Sequence, residues 1–437
     1  MIYNFDPRYT ILQFFANIAL RLNFRKMVFV GKKENVSKKR PVIFAPNHRS
    51  ALIDALLLVY SSYLTKQIVF LARADIFKQK FVAWILRGLR ILPVYRLRDG
   101  KDNLGKNSEI FENCGRVLKQ NKPIALFPEA KGNPRQSLLS IQKAVPRIVL
   151  PTEAQFDFSL NSQIVPTAIY YRDMHDFLTD VYVRFGKPIE VSKYKDIYAE
   201  NPTTAVNQLR EELERELKSI VVNIWNDEYY YDYQFLINAN AERIAKEMFA
   251  DEKDAFVQAA HYIVKKLDDM YENDRDAFDD KMVDVDEARS MLRMWELTSK
   301  DNFMNPKSKF CLILRFAALF VTLPIAAFGF LNSIFSMLIC YKICGKFKDI
   351  QFVPSARYVV GLLFVPLFAI IQAVILGLVT SDWLVALGYF IAVPVTFYFG
   401  LWWRRWILKT EKDWKVQYFA NGDDWMWEET VKYARFD

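Results

Sequence analysis

The sequence PVIFAPNHRSALID occupies residues 41–54 and joins an apolar run to a helical pattern through a short polar turn. The run Val42–Ala45 predicts a buried strand, and the pattern that starts at Leu52 predicts a helix. Ser50 is a suitable N-cap for this helix, so Asp54 lies one turn beyond the cap. A strand that leads through a loop into a helix is typical of an α/β domain, in which functional side chains collect near strand ends.

Short apolar runs alternate with helical patterns from residue 41 to about residue 195. The alternation predicts a layered α/β domain with a central sheet and flanking helices. The further predicted strands are Ile68–Leu71, Ile91–Tyr95, Ile124–Phe127, Ile164–Tyr170 and Val181–Phe185, and the predicted helices between them include Phe81–Leu89 and Ser108–Lys119.

The histidine in this turn has an acidic residue close by in the sequence. His48 follows the first predicted strand, and five residues separate it from Asp54. A carboxylate on the first turns of the helix can reach back to the imidazole, hold its tautomer and stabilise the imidazolium. The imidazole can then act as a general base toward a hydroxyl group. A histidine that only caps the turn is the alternative interpretation, and the spacing to Asp54 disfavours it.

The turn resembles the first motif of the glycerolipid acyltransferases that acylate glycerol-3-phosphate or lysophosphatidic acid. That motif is Asn-His followed by Asp, matched here by Asn47, His48 and Asp54. The spacing is one residue longer than is most frequent in the family, and it is similar to a membrane subgroup that includes some glycerol-3-phosphate and dihydroxyacetone-phosphate acyltransferases. The resemblance implies that His48 and Asp54 are the catalytic residues.

Three further stretches match the family's later motifs in the same order. Residues 88–96, GLRILPVYR, end in Arg96, for which the resemblance implies a substrate-binding role. Arg73 also stands at a predicted strand end, and a guanidinium group suits phosphate oxygens. Residues 164–168, IVPTA, match the fourth motif, an apolar strand that contains a proline.

The third motif lies in residues 126–133, LFPEAKGN, and departs from the family's Phe-Pro-Glu-Gly at Ala130. The resemblance implies that Glu129 organises the acceptor site, and Lys131 and Arg135 add positive charge there. Glycine adopts positive φ without the steric cost that alanine carries. If the loop needs that conformation, Ala130 impairs it, and Gly132 is the residue that could relieve the strain.

The composition of the rest of the chain predicts four further regions around the α/β domain. Residues 1–40 are predicted to contain an amphipathic helix and a lead-in, and the helix can lie in a bilayer surface or pack on the protein. Residues 41–195 are the predicted acyltransferase domain, and residues 196–306 form an acidic helical connector. Residues 307–410 are the predicted membrane region, and residues 411–437 a cytoplasmic tail.

Three segments of the membrane region contain no Asp, Glu, Lys or Arg: residues 316–341, 358–381 and 383–403. Each exceeds the roughly 20 residues that a helix needs to cross a hydrocarbon core. Basic flanks predict that the second and third segments form a hairpin, with the catalytic domain cytoplasmic. Both ends of the first segment are basic, so the segment either spans the membrane or, as the flanks favour, forms a re-entrant helix broken near Pro324 or Gly329–Asn332 and shielded by the hairpin.

The motifs together predict transfer of a fatty acyl group to glycerol-3-phosphate or lysophosphatidic acid in phospholipid biosynthesis. Acyl-CoA or an acyl carrier protein is the expected co-substrate and the membrane the expected partner, with no further cofactor and no metal. Two alternatives stay open: another lysolipid acceptor, and a degenerate lipid-binding scaffold suggested by Ala130. The net charge of +9 alone allows nucleic-acid binding, but no recognition motif accompanies it.

Overall fold

A computed structural model describes residues 5–62, 67–78, 80–95, 106–422 and 425–436. The chain divides into two compact units. The first, called the sheet unit below, comprises Met1–Val221 together with Asp349–Ser355. The second, called the helical unit, comprises Val222–Lys348 and Ala356–Asp437.

The sheet unit is built around one eight-stranded sheet in the described residues. Its strands are β1 (Phe24–Val30), β2 (Val42–Pro46), β3 (Val69–Arg73), β4 (Ile91–Val94), β5 (Ile124–Leu126), β6 (Gln163–Tyr171), β7 (Thr179–Phe185) and β8 (Ile189–Glu190). Every residue of β2 and β6 is buried. Continuous apolar runs of this kind are expected for strands that helices cover on both faces.

The strand order is β1-β7-β6-β2-β5-β3-β4, and β8 pairs with β6. Strands β6, β2, β5, β3 and β4 are mutually parallel, while β7 runs antiparallel to β6. The carboxyl ends of β2, β3, β5 and β6 therefore meet at one edge of the sheet, called the carboxyl edge below. Open α/β sheets bind ligands at this edge.

Eight helices of the sheet unit lie within the described residues, and the sequence accounts for where several of them begin. The helices are α1 (Pro7–Asn23), α2 (Lys32–Asn35), α3 (Ala51–Ser61), α4 (Lys80–Gly88), α5 (Lys106–Lys119), α6 (Ala144–Gln155), α7 (Lys195–Glu200) and α8 (Pro202–Ile220). Asp6 caps α1, whose first residue is a proline, and Asn201 with Pro202 starts α8 in the same way.

The predicted lead-in of residues 1–40 is part of the sheet unit. Strand β1, which the sequence analysis did not predict, pairs in parallel with β7. Arg25 and Lys26 are exposed on this edge strand, so the run lacks an unbroken apolar pattern. Helix α1 packs on α3 and buries Tyr9 and Leu20, while its opposite face exposes Phe14 and neighbouring apolar residues.

The helical unit contains the remaining helices. They are α9 (Tyr230–Met248), α10 (Ala255–Asn273), α11 (Arg275–Met294), α12 (Lys309–Asn332), α13 (Ile334–Cys344), α14 (Phe352–Thr380), α15 (Trp383–Ala420) and α16 (Trp425–Ala434). The first residues of α14, up to Ser355, belong to the sheet unit. The predicted tail of residues 411–437 is not separate, because α15 continues to Ala420 and α16 packs on α11.

Three of these helices, α12, α14 and α15, are long and apolar enough to cross a membrane. Helix α12 packs along α15, and a Cβ added at Gly329 would lie 2.3 Å from the Thr396 backbone. Small residues permit this close approach between helices. Toward the other end of this helix pair, Trp403 Nε1 donates to the Leu319 carbonyl over 2.9 Å, and Arg315 pairs with Asp413 at 2.6 Å.

The first apolar segment is broken where the sequence analysis expected a break. Helix α12 ends at Asn332 and α13 begins at Ile334, after Ser333. The hairpin helices supply polar partners at this point. Gln372 Nε2 donates to the Asn332 carbonyl over 2.9 Å, and the Tyr389 hydroxyl donates to the Asn332 side chain. A helix break at membrane depth requires such partners, and re-entry itself stays a prediction.

Candidate active site

The loop after β2 brings His48 and Asp54 into direct contact. His48 Nδ1 lies 2.8 Å from Asp54 Oδ2. The strand ends at Pro46, and Asp54 lies in the first turns of α3, so the carboxylate points back over the loop. This is the spatial arrangement that the spacing of the two residues predicts. A histidine and a carboxylate in this geometry form the orienting half of a proton relay.

Asp54 is fully buried, and its carboxylate accepts several hydrogen bonds. Oδ2 accepts from the backbone N–H groups of Arg49 at 2.8 Å and Ser50 at 2.7 Å. Oδ1 accepts from the hydroxyl group of Tyr171, the last residue of β6. Burial raises the pKa of Tyr171 well above its usual value, so this hydroxyl remains a donor. These donors stabilise the ionised carboxylate, which otherwise would be costly to bury.

The imidazole of His48 is partly exposed and held on both sides. Its ring stacks on Phe127, with 4.0 Å between ring centroids and 24° between planes. The Asp54 carboxylate can only accept a hydrogen bond, so Nδ1 carries the proton of the neutral ring and Nε2 is unprotonated. In the described part of the chain, Nε2 has no hydrogen-bond partner. The side chain is 17% exposed, which leaves this nitrogen available to a hydroxyl group.

The residue before His48 is fixed to β6. Asn47 N donates to the Thr167 carbonyl at 3.2 Å, which extends the β2–β6 pairing by one residue. The Asn47 side chain accepts from Ile169 N at 2.7 Å and donates to the Ile169 carbonyl at 3.2 Å. A side chain that replaces a backbone ladder in this way ends the strand and sets the direction in which the loop departs.

Glu129 ties the loop after β5 to the loop that carries His48. Its Oε1 accepts from His48 N at 2.8 Å, and its Oε2 accepts from Leu139 N at 2.8 Å. Burial raises the pKa of the Glu129 carboxyl to about 7, although the two backbone hydrogen bonds and the nearby His48 lower it. Asn133 N donates to the His48 carbonyl at 2.8 Å and joins the same loops a second time. Glu129 therefore holds the backbone on which His48 stands.

Ala130 adopts the left-handed conformation that the sequence analysis identified as its risk. Its φ is +59°, and its N–H donates to the Phe127 carbonyl at 3.1 Å. Gly132 is not at positive φ, so it does not take over this role. The hydrogen bonds of Glu129 are formed nonetheless. Alanine carries a cost of about 1–2 kcal/mol in this region, which the loop contacts offset.

The predicted phosphate-binding cations are distributed unevenly. Arg96 lies outside the described residues. Arg73 ends β3 at the carboxyl edge, where its guanidinium pairs with Asp75. Lys131 is exposed on the loop after β5, and Arg135 lies half-buried on the same loop. The structure thus brings Glu129 to His48 and Asp54, and it leaves the roles of the cations as predictions.

Two residues that support the site were not predicted. Tyr171 donates to Asp54 across 117 positions of sequence, and Arg49 Nη2 donates to the Pro134 carbonyl at 2.8 Å. Arg49 stands next to His48 in the motif and could have been singled out as a buried cation. No local pattern points to Tyr171, because its contact arises only when β6 lies beside β2.

Comparisons with known proteins find matches over parts of the chain. The family model described as Acyltransferase matches residues 27–170. Glycerol-3-phosphate O-acyltransferase 1 of Saccharomyces cerevisiae is 31% identical over 116 residues, which are 26% of this chain and 15% of the yeast protein. The match thus spans less than a sixth of that relative's length.

A solved structure is also similar over part of the chain. It is the 1-acyl-sn-glycerophosphate (LPA) acyltransferase PlsC from Thermotoga maritima, at 20% identity over 49% of this chain and 78% of that one. The TM-score of 0.34 is too low to add support. The family match covers the residues that carry the four motifs. Residues 27–170 therefore match the Acyltransferase family, and the comparisons support the glycerolipid acyltransferase family that the motifs of this stretch predict.

Proposed function

We propose that this protein transfers a fatty acyl group from acyl-CoA or an acyl carrier protein to the hydroxyl group of glycerol-3-phosphate or lysophosphatidic acid. The observation that carries the proposal is the 2.8 Å contact between His48 Nδ1 and the buried Asp54 carboxylate. This contact sets the histidine tautomer and leaves Nε2 as a base. The match of residues 27–170 to the Acyltransferase family supports the same reaction class.

The proposed reaction proceeds with His48 as base and then acid. Nε2 takes the proton of the acceptor hydroxyl as the oxygen attacks the thioester carbonyl, and Asp54 stabilises the imidazolium that forms. The tetrahedral intermediate then collapses, the carbon–sulfur bond breaks, and the departing thiolate takes the proton from the imidazolium. The products are an ester and a free thiol. The balance requires only the two substrates, so we propose no further cofactor.

We propose that the acceptor is held through its phosphate by Arg96, with Lys131, Arg73 and Arg135 adding positive charge at the carboxyl edge. A guanidinium fork binds phosphate oxygens through two parallel hydrogen bonds. Glu129 acts differently, since its carboxylate is occupied by backbone N–H groups. It shapes the loop beside His48. Phosphate binding would bring the acceptor hydroxyl to Nε2 and reduce the entropy cost of the reaction.

We further propose that the enzyme is an integral membrane protein of phospholipid biosynthesis with its catalytic domain on the cytoplasmic side. The three long apolar helices indicate membrane association. The outer face of α1 exposes Ile11, Phe14, Phe15 and Ile18, and Arg21 lies in its last turn, which suits a bilayer surface. Both the lipid acceptor and the product would then stay in the membrane.

The alternative hypotheses are another lysolipid acceptor and a non-catalytic scaffold. The scaffold hypothesis rests on Ala130, which departs from the motif. The loop around Ala130 nevertheless keeps both hydrogen bonds of Glu129, and His48 keeps its carboxylate partner. These contacts favour an enzyme over a scaffold. A requirement for a phosphate would exclude acceptors that lack one, and a direct comparison decides between glycerol-3-phosphate and lysophosphatidic acid.

The test uses the full chain in phospholipid vesicles with a radiolabelled acyl-CoA or acyl carrier protein. Three acceptors are compared: glycerol-3-phosphate, lysophosphatidic acid and monoacylglycerol, which lacks the phosphate. We expect ester product with one phosphorylated acceptor, none with monoacylglycerol, and none in His48→Ala. His175→Ala is the matched control and should keep the activity. Equal transfer to monoacylglycerol would contradict the phosphate proposal, and no transfer to any acceptor would contradict the reaction.

A further inference from the structure

A short segment next to the second apolar helix belongs to the sheet unit. Residues Asp349–Ser355 are part of that unit, although the residues on both sides, 222–348 and 356–437, form the helical unit. The segment includes the first four residues of α14, which begins at Phe352. Two of its side chains, Gln351 and Ser355, are buried against the loops of the candidate active site.

Ser355 contacts the start of the helix that carries Asp54. Its Oγ accepts a hydrogen bond from Leu52 N at 2.9 Å. The N–H groups in the first turn of a helix have no intrahelical partner and need another acceptor. Ser50, at the N-cap of α3, makes no capping bond with its side chain in the described structure. Ser355 thus supplies, from 303 residues away, a cap that the local sequence does not provide.

Gln351 contacts the other loop of the site. A Cβ added at Gly132 would lie 1.8 Å from Gln351 Oε1, so the glutamine lies directly on the backbone of the loop after β5. Asp349 fixes the glutamine: its carboxylate accepts from Gln351 N at 3.2 Å and from the side-chain amide. Asn133, which follows Gly132, donates its N–H to the His48 carbonyl at 2.8 Å. Gln351 therefore contacts the residue next to the one that is hydrogen-bonded to the His48 backbone.

We propose that Gln351 and Ser355 are positioning residues. Through them, the start of α14 fixes the position of the His48–Asp54 turn relative to the loop that carries Glu129. The inference rests on the proposed acyl transfer, since it concerns the same site. Neither residue touches the reacting atoms. Their effect is to fix Asp54 through α3 and the His48 backbone through Gly132 and Asn133. The proposed activity then depends on the contacts that residues 349–355 make within the sheet unit.

Ser355→Ala tests the first contact. Loss of a capping hydrogen bond typically corresponds to about a fivefold change in an equilibrium constant. We expect kcat to fall about fivefold with KM for the phosphorylated acceptor unchanged, because the orientation of Asp54 acts on the reacting step. Ser355→Thr keeps the hydroxyl group and should restore most of kcat. Thr380→Ala, at the exposed far end of the same helix, is the matched control and should have no effect.

A second readout does not require activity. The Leu52 amide has no intrahelical acceptor, so its hydrogen exchange should be about fivefold faster in Ser355→Ala than in the wild type or Thr380→Ala. Exchange is measured by mass spectrometry on peptides that cover residues 47–54. Unchanged exchange and unchanged kcat in Ser355→Ala would overturn the inference for this contact.

Gly132 and Gln351 permit a double-mutant cycle. Gly132→Ala forces the glutamine away from the loop, and Gln351→Ala removes it, so each should lower kcat by a similar factor. In the double variant the added methyl group meets no glutamine, and the effects should not add. Gln155→Ala, an exposed glutamine at the end of α6, is the control. Additive losses, or no loss in Gln351→Ala, would show that the glutamine does not act through Gly132.

The two levels of the proposal can fail separately. If the wild type transfers no acyl group, the proposed function fails, and the exchange measurement still decides whether Ser355 holds α3. If the wild type is active while Ser355→Ala and Gln351→Ala behave as their controls in kcat and in exchange, only the positioning role is overturned.

Discussion

The two edges of the central sheet carry charged residues that are held in opposite ways. At the carboxyl edge, Asp54 and Glu129 are buried, and every carboxylate oxygen accepts a hydrogen bond. At the amino edge, residues 32–40 line a cavity of about 650 Å³. Its cations are largely at the surface: Lys33 and Lys39 are exposed, and Arg40 pairs with Glu190.

The difference shows that a high density of charged residues does not by itself mark a catalytic site. The net charge of +9 draws attention to basic stretches such as residues 32–40. A solvated lysine, however, keeps its mobility and its hydration, so by itself it adds positive charge without fixing the position of a substrate or tuning a base. Fixed, buried groups can do both, because they cost stability unless their partners are in place. The predictions below test this contrast, from the largest expected effect to the smallest.

The largest effect is expected at the buried carboxylate of Asp54. Asp54→Asn cannot stabilise an imidazolium and favours the wrong tautomer of His48, so kcat should fall by about 10²–10⁴. The measurement is the steady-state rate with the preferred acceptor. The matched control is Asp157→Asn, which alters an exposed carboxylate in the same unit. A loss of less than about tenfold in Asp54→Asn would contradict the role of this residue.

Glu129 should give the sheet unit a pH-dependent stability. The raised pKa of about 7 means that the folded protein holds a proton that the unfolded chain loses above its ordinary pKa of 4.5. The unfolding free energy therefore falls by about 3 kcal/mol as the pH rises from about 4.5 to about 7. Glu129→Gln has no carboxyl group to titrate, so its stability should not fall with pH in this way. Its NH2 group cannot accept one of the two backbone hydrogen bonds, and this cost is the same at every pH.

The measurement is the thermal midpoint of both proteins between pH 5 and pH 8. The wild type should lose stability relative to Glu129→Gln as pH increases through this range. Glu211→Gln, on the exposed face of α8, should follow the wild type at every pH. Parallel curves for the wild type and Glu129→Gln would show that the carboxyl does not titrate near pH 7.

Ala130→Gly should stabilise the protein slightly. Glycine adopts the φ of +59° without steric cost, and the gain is about 1 kcal/mol before the larger entropy of the unfolded chain is subtracted. Denaturant unfolding of the sheet unit provides the measurement. Ala154→Gly, in helix α6, should instead destabilise by about 0.5–1 kcal/mol. If both substitutions destabilise equally, the strain assigned to Ala130 is absent.

The smallest effect is expected at the amino edge. The double substitution Lys33→Ala and Lys39→Ala removes two exposed positive charges near the cavity. It should leave kcat and KM within about twofold of the wild type, since neither group is fixed. A tenfold loss of activity would show that this edge takes part in substrate binding, and the contrast between the edges would then be wrong.

Much of the sheet was predictable because its buried strands are continuous apolar runs. The predicted strands at residues 42–45, 164–170 and 181–185 differ from β2, β6 and β7 by only one or two residues at either end. Strand β1 was not found, since its two exposed cations interrupt the apolar pattern on an edge of the sheet. Edge strands need only one partner and one buried face, so their sequences say less.

The site was predictable only where its contacts are local. His48 and Asp54 are close in the sequence, and helix geometry alone brings them together. Glu129 entered through resemblance to the family, and its hydrogen bond to His48 N spans 81 positions. Tyr171 and Ser355 are still more distant from the residues that they contact. Contacts of this kind depend on strand order and unit boundaries, which a local sequence pattern does not encode.

The most direct test of the account is a single-turnover reaction in which thiol release and ester formation are counted in the same sample. Wild type and His48→Ala are compared in vesicles with labelled acyl donor and the phosphorylated acceptor, with His175→Ala as the control. We predict one thiol released for each ester formed in the wild type and in His175→Ala, and neither product in His48→Ala above the uncatalysed rate. Ester formation by His48→Ala at a rate near that of the wild type would contradict the assignment of His48 as the base.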